Sequence, residues 1–213
     1  MKLQLTSLFL GLAATVVSAQ EQLQTGPFSL HITGKGENSS IDGYAGSCHA
    51  GAAIEGFCYS AGELPAGSNS FQYYFNYTNG SSTIGDAPIG QVIWKLPYLN
   101  GTEQAYVEQT MGLQYSVNSN VAAPMFGFGS YSYLPLGFDA DGKLFAYSYL
   151  DDSTFTPGQN PGQGAEPKAY YQWYVCWQYF TSYYYQSVGW STTDTPHNPT
   201  CEAVDITQVF ATS

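Results

Sequence analysis

Between Tyr170 and Trp190 the chain reads YYQWYVCWQYFTSYYYQSVGW, eleven aromatic residues in twenty-one positions. Aromatic rings interleaved with amides are the residue types that stack sugar rings while bonding their hydroxyls. Read as a strand, the segment puts Tyr171, Trp173, Val175, Trp177 and Tyr179 on one face. Tyr170, Gln172, Tyr174, Cys176, Gln178 and Phe180 fall on the other. The first face is unbroken apolar and is expected to be core. The second alternates Tyr with Gln, and after a turn near Thr181-Ser182 the theme returns in Tyr184 and Gln186. The candidate ligand-binding set is therefore Tyr170, Gln172, Tyr174, Tyr184 and Gln186. The competing expectation is that both faces are packed.

Other chemistry is thinly represented. A glycosidase needs two facing carboxylates, one with a raised pKa, and sequence does not pair the sixteen available here. Glu55 is the least conventional of them, enclosed between Cys48 and Cys58 among Ala, Ile and Phe. Apolar surroundings would raise its pKa; the alternative is an exposed position on a short helix, or bonds to local amides. No G-x-S-x-G elbow is present, since GFGSYS (127–132) lacks the last Gly. His31, His49 and His197 are scattered without ligand spacing. The DADG stretch (139–142) lacks the third oxygen ligand and distant Glu of a calcium loop and reads better as a hairpin turn. Asp151-Asp152 leave calcium alone open there. No catalytic residue, cofactor or metal centre is assigned.

The elements that carry these residues are strands. Tyr, Phe, Thr, Val and Ile recur with period two between Gly, Pro, Asn and Asp clusters. The pattern turns Phe28, Leu30 and Ile32 to one side. It does the same for Phe71, Tyr73, Phe75 and Tyr77, for Val92, Trp94 and Leu96, and for Met111, Leu113, Tyr115 and Val117. Turns are expected at Asn79-Gly80 and Asp141-Gly142, and VDITQVF forms a last strand. Only GAAIEGF (51–57) has the makings of a short helix. The Pro/Gly-rich stretch 153–167 is a long loop, either a flap or a plain surface excursion. The expected fold is all-β: a single-domain antiparallel β-sandwich of jelly-roll type with at most one short helix.

Met1-Lys2, the apolar run LFLGLAATVV (8–17) and the small residues Val17-Ser18-Ala19 have the form of a signal peptide. The expected division is residues 1–19 as signal peptide and 20–213 as one secreted domain. The chain has no Arg, and the four Lys beyond residue 19 stand against sixteen carboxylates (4 − 16 = −12). Such a balance repels phosphate backbones and excludes nucleic acid as a partner, and no stretch is long enough to insert in a membrane. Asn38, Asn76, Asn79 and Asn100 begin glycosylation sequons, whereas Asn198 is followed by Pro. Asn76 falls on the outward side of its strand. Four cysteines in a secreted chain imply disulfides. Of the three connectivities, the sequence-local pairs Cys48–Cys58 and Cys176–Cys201 are favoured.

The stretches CHAGAAIEGFC, GFDADGKLFAYSYLDD, PKAYYQWYVCWQY and HNPTC resemble the landmarks of a family of fungal small secreted proteins that share one uncharacterised domain. The resemblance runs from about Phe28 to the C-terminus. It implies a filamentous fungus and an extracellular or wall-associated place, but no reaction. The expected function is a secreted, glycosylated, non-enzymatic protein acting at a cell wall or host surface by binding, shielding or perception as an effector or elicitor. Its partners would be a cell-wall polysaccharide or a host surface receptor. The alternative is a carbohydrate-active enzyme, a glycoside hydrolase or lyase, on a jelly-roll scaffold.

Overall fold

Period-two alternation of β-branched and aromatic residues fits a pleated surface buried on one side, and in the computed structural model nearly every such run is a strand. Residues 21–127, 132–162 and 165–211 are described; segment 1–19, expected from the sequence to be a signal peptide, lies outside them. In chain order the strands are β1 (Gln22–Gly34), β2 (Asp42–Gly51), β3 (Ile54–Ala61), β4 (Tyr73–Thr78), β5 (Thr83–Ile84), β6 (Ala87–Pro88), β7 (Gly90–Asn100) and β8 (Glu103–Gln114). They continue as β9 (Val121–Gly127), β10 (Ser132–Tyr133), β11 (Leu136–Phe138), β12 (Leu144–Ser148), β13 (Lys168–Tyr170), β14 (Trp173–Phe180), β15 (Tyr183–Ser191) and β16 (Glu202–Phe210). Among the described residues, helix is confined to two three-residue 3-10 turns, Asn69–Phe71 and Asp152–Thr154.

The fold is the expected all-β antiparallel sandwich, and its layers are joined into one circuit. Starting at β1, the pairing passes through β4, β7, β8, β9, β15, β14 and β16 and returns to β1, antiparallel at every step. The β2–β3 hairpin bridges the circuit, because β2 pairs with β1 while β3 touches both β9 and β15. A meander of β11, β12 and β13 hangs from β7 and places Leu136, Leu144 and Ala146 in the core.

Two cores result. The main one gathers the inward faces of the circuit around Phe28, Tyr73, Trp94, Phe126 and Trp173. A smaller one contains Ala50, Ala123, Met125 and Phe180. Strand β9 is the wall between them: Ala122 and Phe126 face the main core, Ala123 and Met125 the smaller one. That is why VAAPMF is buried throughout instead of alternating.

Outside the aromatic hairpin, the structure corrects the sequence expectation in three places. GAAIEGF is the β2–β3 hairpin, not a helix: Gly51 (φ 148°) and Ala53 (φ 56°) turn the chain, and Cys48 lies opposite Gly56. The MGLQYSV run stays inward only through Leu113, because β8 ends at Gln114; Tyr115 and Val117 are exposed in the turn to β9. Phe71 belongs to a 3-10 turn preceding β4. The turns at Asn79-Gly80 and Asp141-Gly142 are present, with Gly80 at φ 77° and Gly142 at φ 74°.

Candidate functional site

The aromatic stretch forms the β14–β15 hairpin, paired from Trp173↔Trp190 to Phe180↔Tyr183 and closed by Thr181-Ser182. At its root the odd-numbered face of β14 points into the main core. Trp173 is buried, stacks edge-on with Trp190 at 4.8 Å and donates its indole N–H to the Leu144 carbonyl at 2.9 Å. Val175 is buried beside it. Beyond Val175 the strand continues without a register slip, but the core changes sides. Cys176 is buried in its disulfide with Cys201, Gln178 bonds Ser187 and the Val188 carbonyl, and Phe180 fills the smaller core.

The odd-numbered face is thereby turned to solvent. Trp177 is 44% exposed, Tyr179 70% and, across the hairpin, Tyr184 61%. The rings of Trp177 and Tyr184 stack with centroids 5.2 Å apart and planes 28° from parallel. The expectation that Trp177 and Tyr179 are core is therefore wrong. Strand alternation is intact; what differs is which side has something to pack against.

Close packing at Gly56 holds the hairpin in place. A Cβ there would lie 2.8 Å from the Phe180 ring and 3.0 Å from Cys48 Sγ, so only glycine lets the ring lie against β3. Tyr185 adds a bond from its hydroxyl to the His49 carbonyl at 3.0 Å.

Beside Trp177 and Tyr179 runs a groove of about 160 Å³, bordered by Gln114 at the end of β8, by Ser116 and Ser119 of the β8–β9 turn and by Asn198. It follows the outer edge of β14. There Trp177 N–H donates to Thr200 Oγ1 (3.0 Å) and Asn198 Nδ2 donates to the Trp177 carbonyl (2.9 Å). In an antiparallel strand peptide groups two residues apart point the same way, so the N–H and C=O of Tyr179 face this groove too. No lining side chain is charged. Neutral hydrogen-bonding groups next to exposed rings suit an uncharged polyhydroxyl ligand.

The five residues expected to bind ligand are divided between two places. Tyr184 and Gln186 lie on the exposed face with Trp177, Gln186 directly opposite it. Gln172 and Tyr174 sit on the other side and are both tied to Asp194, through Gln172 Nε2 to its Oδ1 (3.2 Å) and Tyr174 OH to its carbonyl (2.9 Å). Burial, with the Asp194 charge, raises the Tyr174 hydroxyl pKa. Tyr170 lies on β13 and packs against the main core. Trp177 and Tyr179 were missed as surface residues. Cys176 carried the usable signal, since a half-cystine is a buried residue type and marks its own face as the packed one.

Glu55 is only partly buried, on β3 opposite Phe126. Burial raises its pKa, and His49, whose Nδ1 is 3.9 Å away, pulls it back. Fully buried Tyr73 is raised well above its usual value by burial and by the Glu55 charge. The charge acting on Glu55 is that of His49, not of a second carboxylate. Asp139 accepts from the backbone N–H groups of Asp141 and Lys143 and from Tyr171 OH, which burial and this bond push up to about 12. Its carboxylate closes the hairpin turn. Among the described residues, no three or more His, Cys, Asp or Glu side chains cluster as a metal site would require.

Asn38, Asn79 and Asn100 are exposed in turns or at a strand end, whereas the Asn76 amide is bonded to Gln24 and Glu108. Cys48–Cys58 and Cys176–Cys201 are both bonded, which fits an oxidising environment. No helix among the described residues is long and apolar enough to cross a membrane. A larger groove, about 240 Å³, lies between Phe28, Leu64, Phe71 and Phe210 and is lined mostly by apolar residues.

Residues 25–210 match a family profile described as a domain of unknown function, DUF7907. The chain belongs to that family. The match covers the whole circuit from within β1 to the end of β16, so the family domain includes both cores and the aromatic hairpin. No curated protein and no solved structure matches significantly.

Proposed function

We propose that this member of the family is a secreted, glycosylated fungal protein that binds a neutral glycan at a cell wall or host surface without catalysing a reaction. The observation that carries this reading is the exposed Trp177–Tyr179–Tyr184 face. Three large aromatic side chains stand in solvent on a hairpin anchored by a disulfide and a second core. Monomer surfaces seldom keep such contiguous apolar groups without a use. Strong acidity and the lack of Arg argue against anionic partners, and the uncharged lining of the adjoining groove, with no carboxylate to pair a cation, favours a neutral polymer over a cationic one. Perception by a host receptor remains within this reading, as a consequence of position at the surface.

The test is co-sedimentation of the purified protein with insoluble wall polysaccharides, alongside Trp177→Ala and Tyr184→Ala. Retention of the parent and its loss in both variants is expected, with Tyr174→Ala still retained because that ring lies on the other side of the sheet. Equal retention of all four proteins, or none by the parent, would reject the reading.

A further inference from the structure

We infer that the groove beside Tyr179 is a subsite for an acetamido group, so that the glycan recognised is a polymer of N-acetylated hexosamine. This rests on the glycan-binding reading above and narrows it. The starting observation is Gln114. Its Oε1 is buried yet has no hydrogen-bond partner, and its side chain lines the groove. A buried acceptor left unpaired is costly, and a turn of the Gln114 side chain towards the groove would let a ligand N–H or O–H satisfy it.

The other walls complete the match. On the β14 edge, the Tyr179 N–H faces the groove two residues beyond Trp177, whose own N–H is already taken by Thr200. That leaves a donor for a carbonyl oxygen. Val121, Ala123 and Phe180, all nearly buried, supply apolar contact for a methyl group. An acetamido group carries these three features together: an N–H, a C=O and a methyl. A plain hexose offers only hydroxyls and leaves the apolar wall uncovered. A free amino sugar would bring an ammonium ion to a groove with no carboxylate in its lining. The sugar ring bearing the acetamido group would then extend onto Trp177, which borders the groove and carries Tyr184 stacked on its exposed ring.

The experiment is isothermal titration with three soluble oligomers of one length and linkage: N-acetylated, deacetylated and unsubstituted hexose. The expected result is a preference of about tenfold or more for the acetylated oligomer, the scale of one or two neutral hydrogen bonds. Gln114→Leu should abolish that preference while leaving the thermal midpoint unchanged or higher, because it removes an unpaired buried acceptor. In the unmodified protein, saturation transfer should be strongest at the acetyl methyl protons of the ligand, a readout that needs no variant. Equal affinity for acetylated and unsubstituted oligomers, or tighter binding of the deacetylated one, would overturn the acetamido subsite and leave the aromatic face standing. If no oligomer bound and Trp177→Ala changed nothing in co-sedimentation, the subsite and the glycan reading would fall together.

Discussion

Trp177 and Tyr184 sit diagonally across β14 and β15, 5.2 Å apart between ring centres, and both residues are exposed to water. Each shields part of the other, and a cross-strand aromatic pair of this kind contributes roughly 0.2–1 kcal/mol. That is far less than either ring would contribute in a core. The pair is consequently a surface whose removal the fold should tolerate, while Trp173, on the same face four residues earlier, is not.

Trp173→Ala should lose about 3–5 kcal/mol, as large aromatic deletions do, together with the indole bond to Leu144. Trp177→Ala should stay within about 1 kcal/mol of the parent. Urea denaturation of the two variants measures the contrast. Comparable large losses would place Trp177 in a core that the structure denies it.

Thr181 and Ser182 both have positive φ, 47° and 79°, in a two-residue hairpin loop. Such turns favour Asn-Gly, and a β-branched residue there is strained. Replacing the pair by Asn-Gly should stabilise the protein by roughly 1–2 kcal/mol. A lowered thermal midpoint would show that Thr181 makes a compensating contact.

Glu55 sets a pH dependence of defined sign. Burial raises its folded pKa above the ordinary 4.5, so the folded state holds the proton more tightly than the unfolded chain. Its carboxylate therefore costs stability once pH rises above the unfolded value, and the cost is complete above the folded one. Glu55→Gln should raise stability at pH 7 and leave it unchanged near pH 3. Asp205 and Glu108 act in the opposite sense. Burial raises the Asp205 carboxyl, but Lys143 and Lys35 outweigh it; Gln24 leads the groups that lower Glu108. Their contribution is present above their unfolded pKa values and is lost as pH falls through the depressed ones. Urea midpoints of parent and Glu55→Gln from pH 3 to 8 check both signs.

Every cysteine is paired, so the unfolded, unreduced protein should show no reactive thiol. Opening the bridge between Cys176 and Cys201, 25 residues apart, should cost roughly 3 kcal/mol by the chain-entropy argument. It should also free the aromatic hairpin locally before global unfolding. Hydrogen exchange of a Cys176→Ala/Cys201→Ser variant would show early exchange in β14 and β15, and uniform exchange would contradict it.

Strand identity, most inward residues and both disulfides were legible because each depends on short-range pattern. Phe28, Leu30 and Ile32, like Val92 and Trp94, alternate around a single core, and period two suffices for them. It failed at Trp177 and Tyr179 for a reason no local pattern contains: a second core formed by β9 residues some fifty positions earlier. Alternation says which side chains share a face and is silent about which face meets protein. GAAIEGF misled for a related reason. Ala and Glu favour helix on propensity, but the pairing of β3 with β2 and β9 decided the outcome.

The pairing of β7 with β8 that completes the circuit also bears on how the protein resists proteolysis. An open sheet can shed its outermost strand and offer it, extended, to a protease cleft. A circuit of eight strands has no outermost member, so wherever a strand is paired on both sides, exposing it for cleavage requires breaking two ladders; only stretches such as β14 beyond Val175, paired with β15 alone, fall outside that protection. Openings of that size approach the cost of unfolding the whole domain. Persistence among secreted proteases would then be set by global stability, and the aromatic hairpin, anchored at its root to that circuit, would keep its rings presented for as long as the circuit holds.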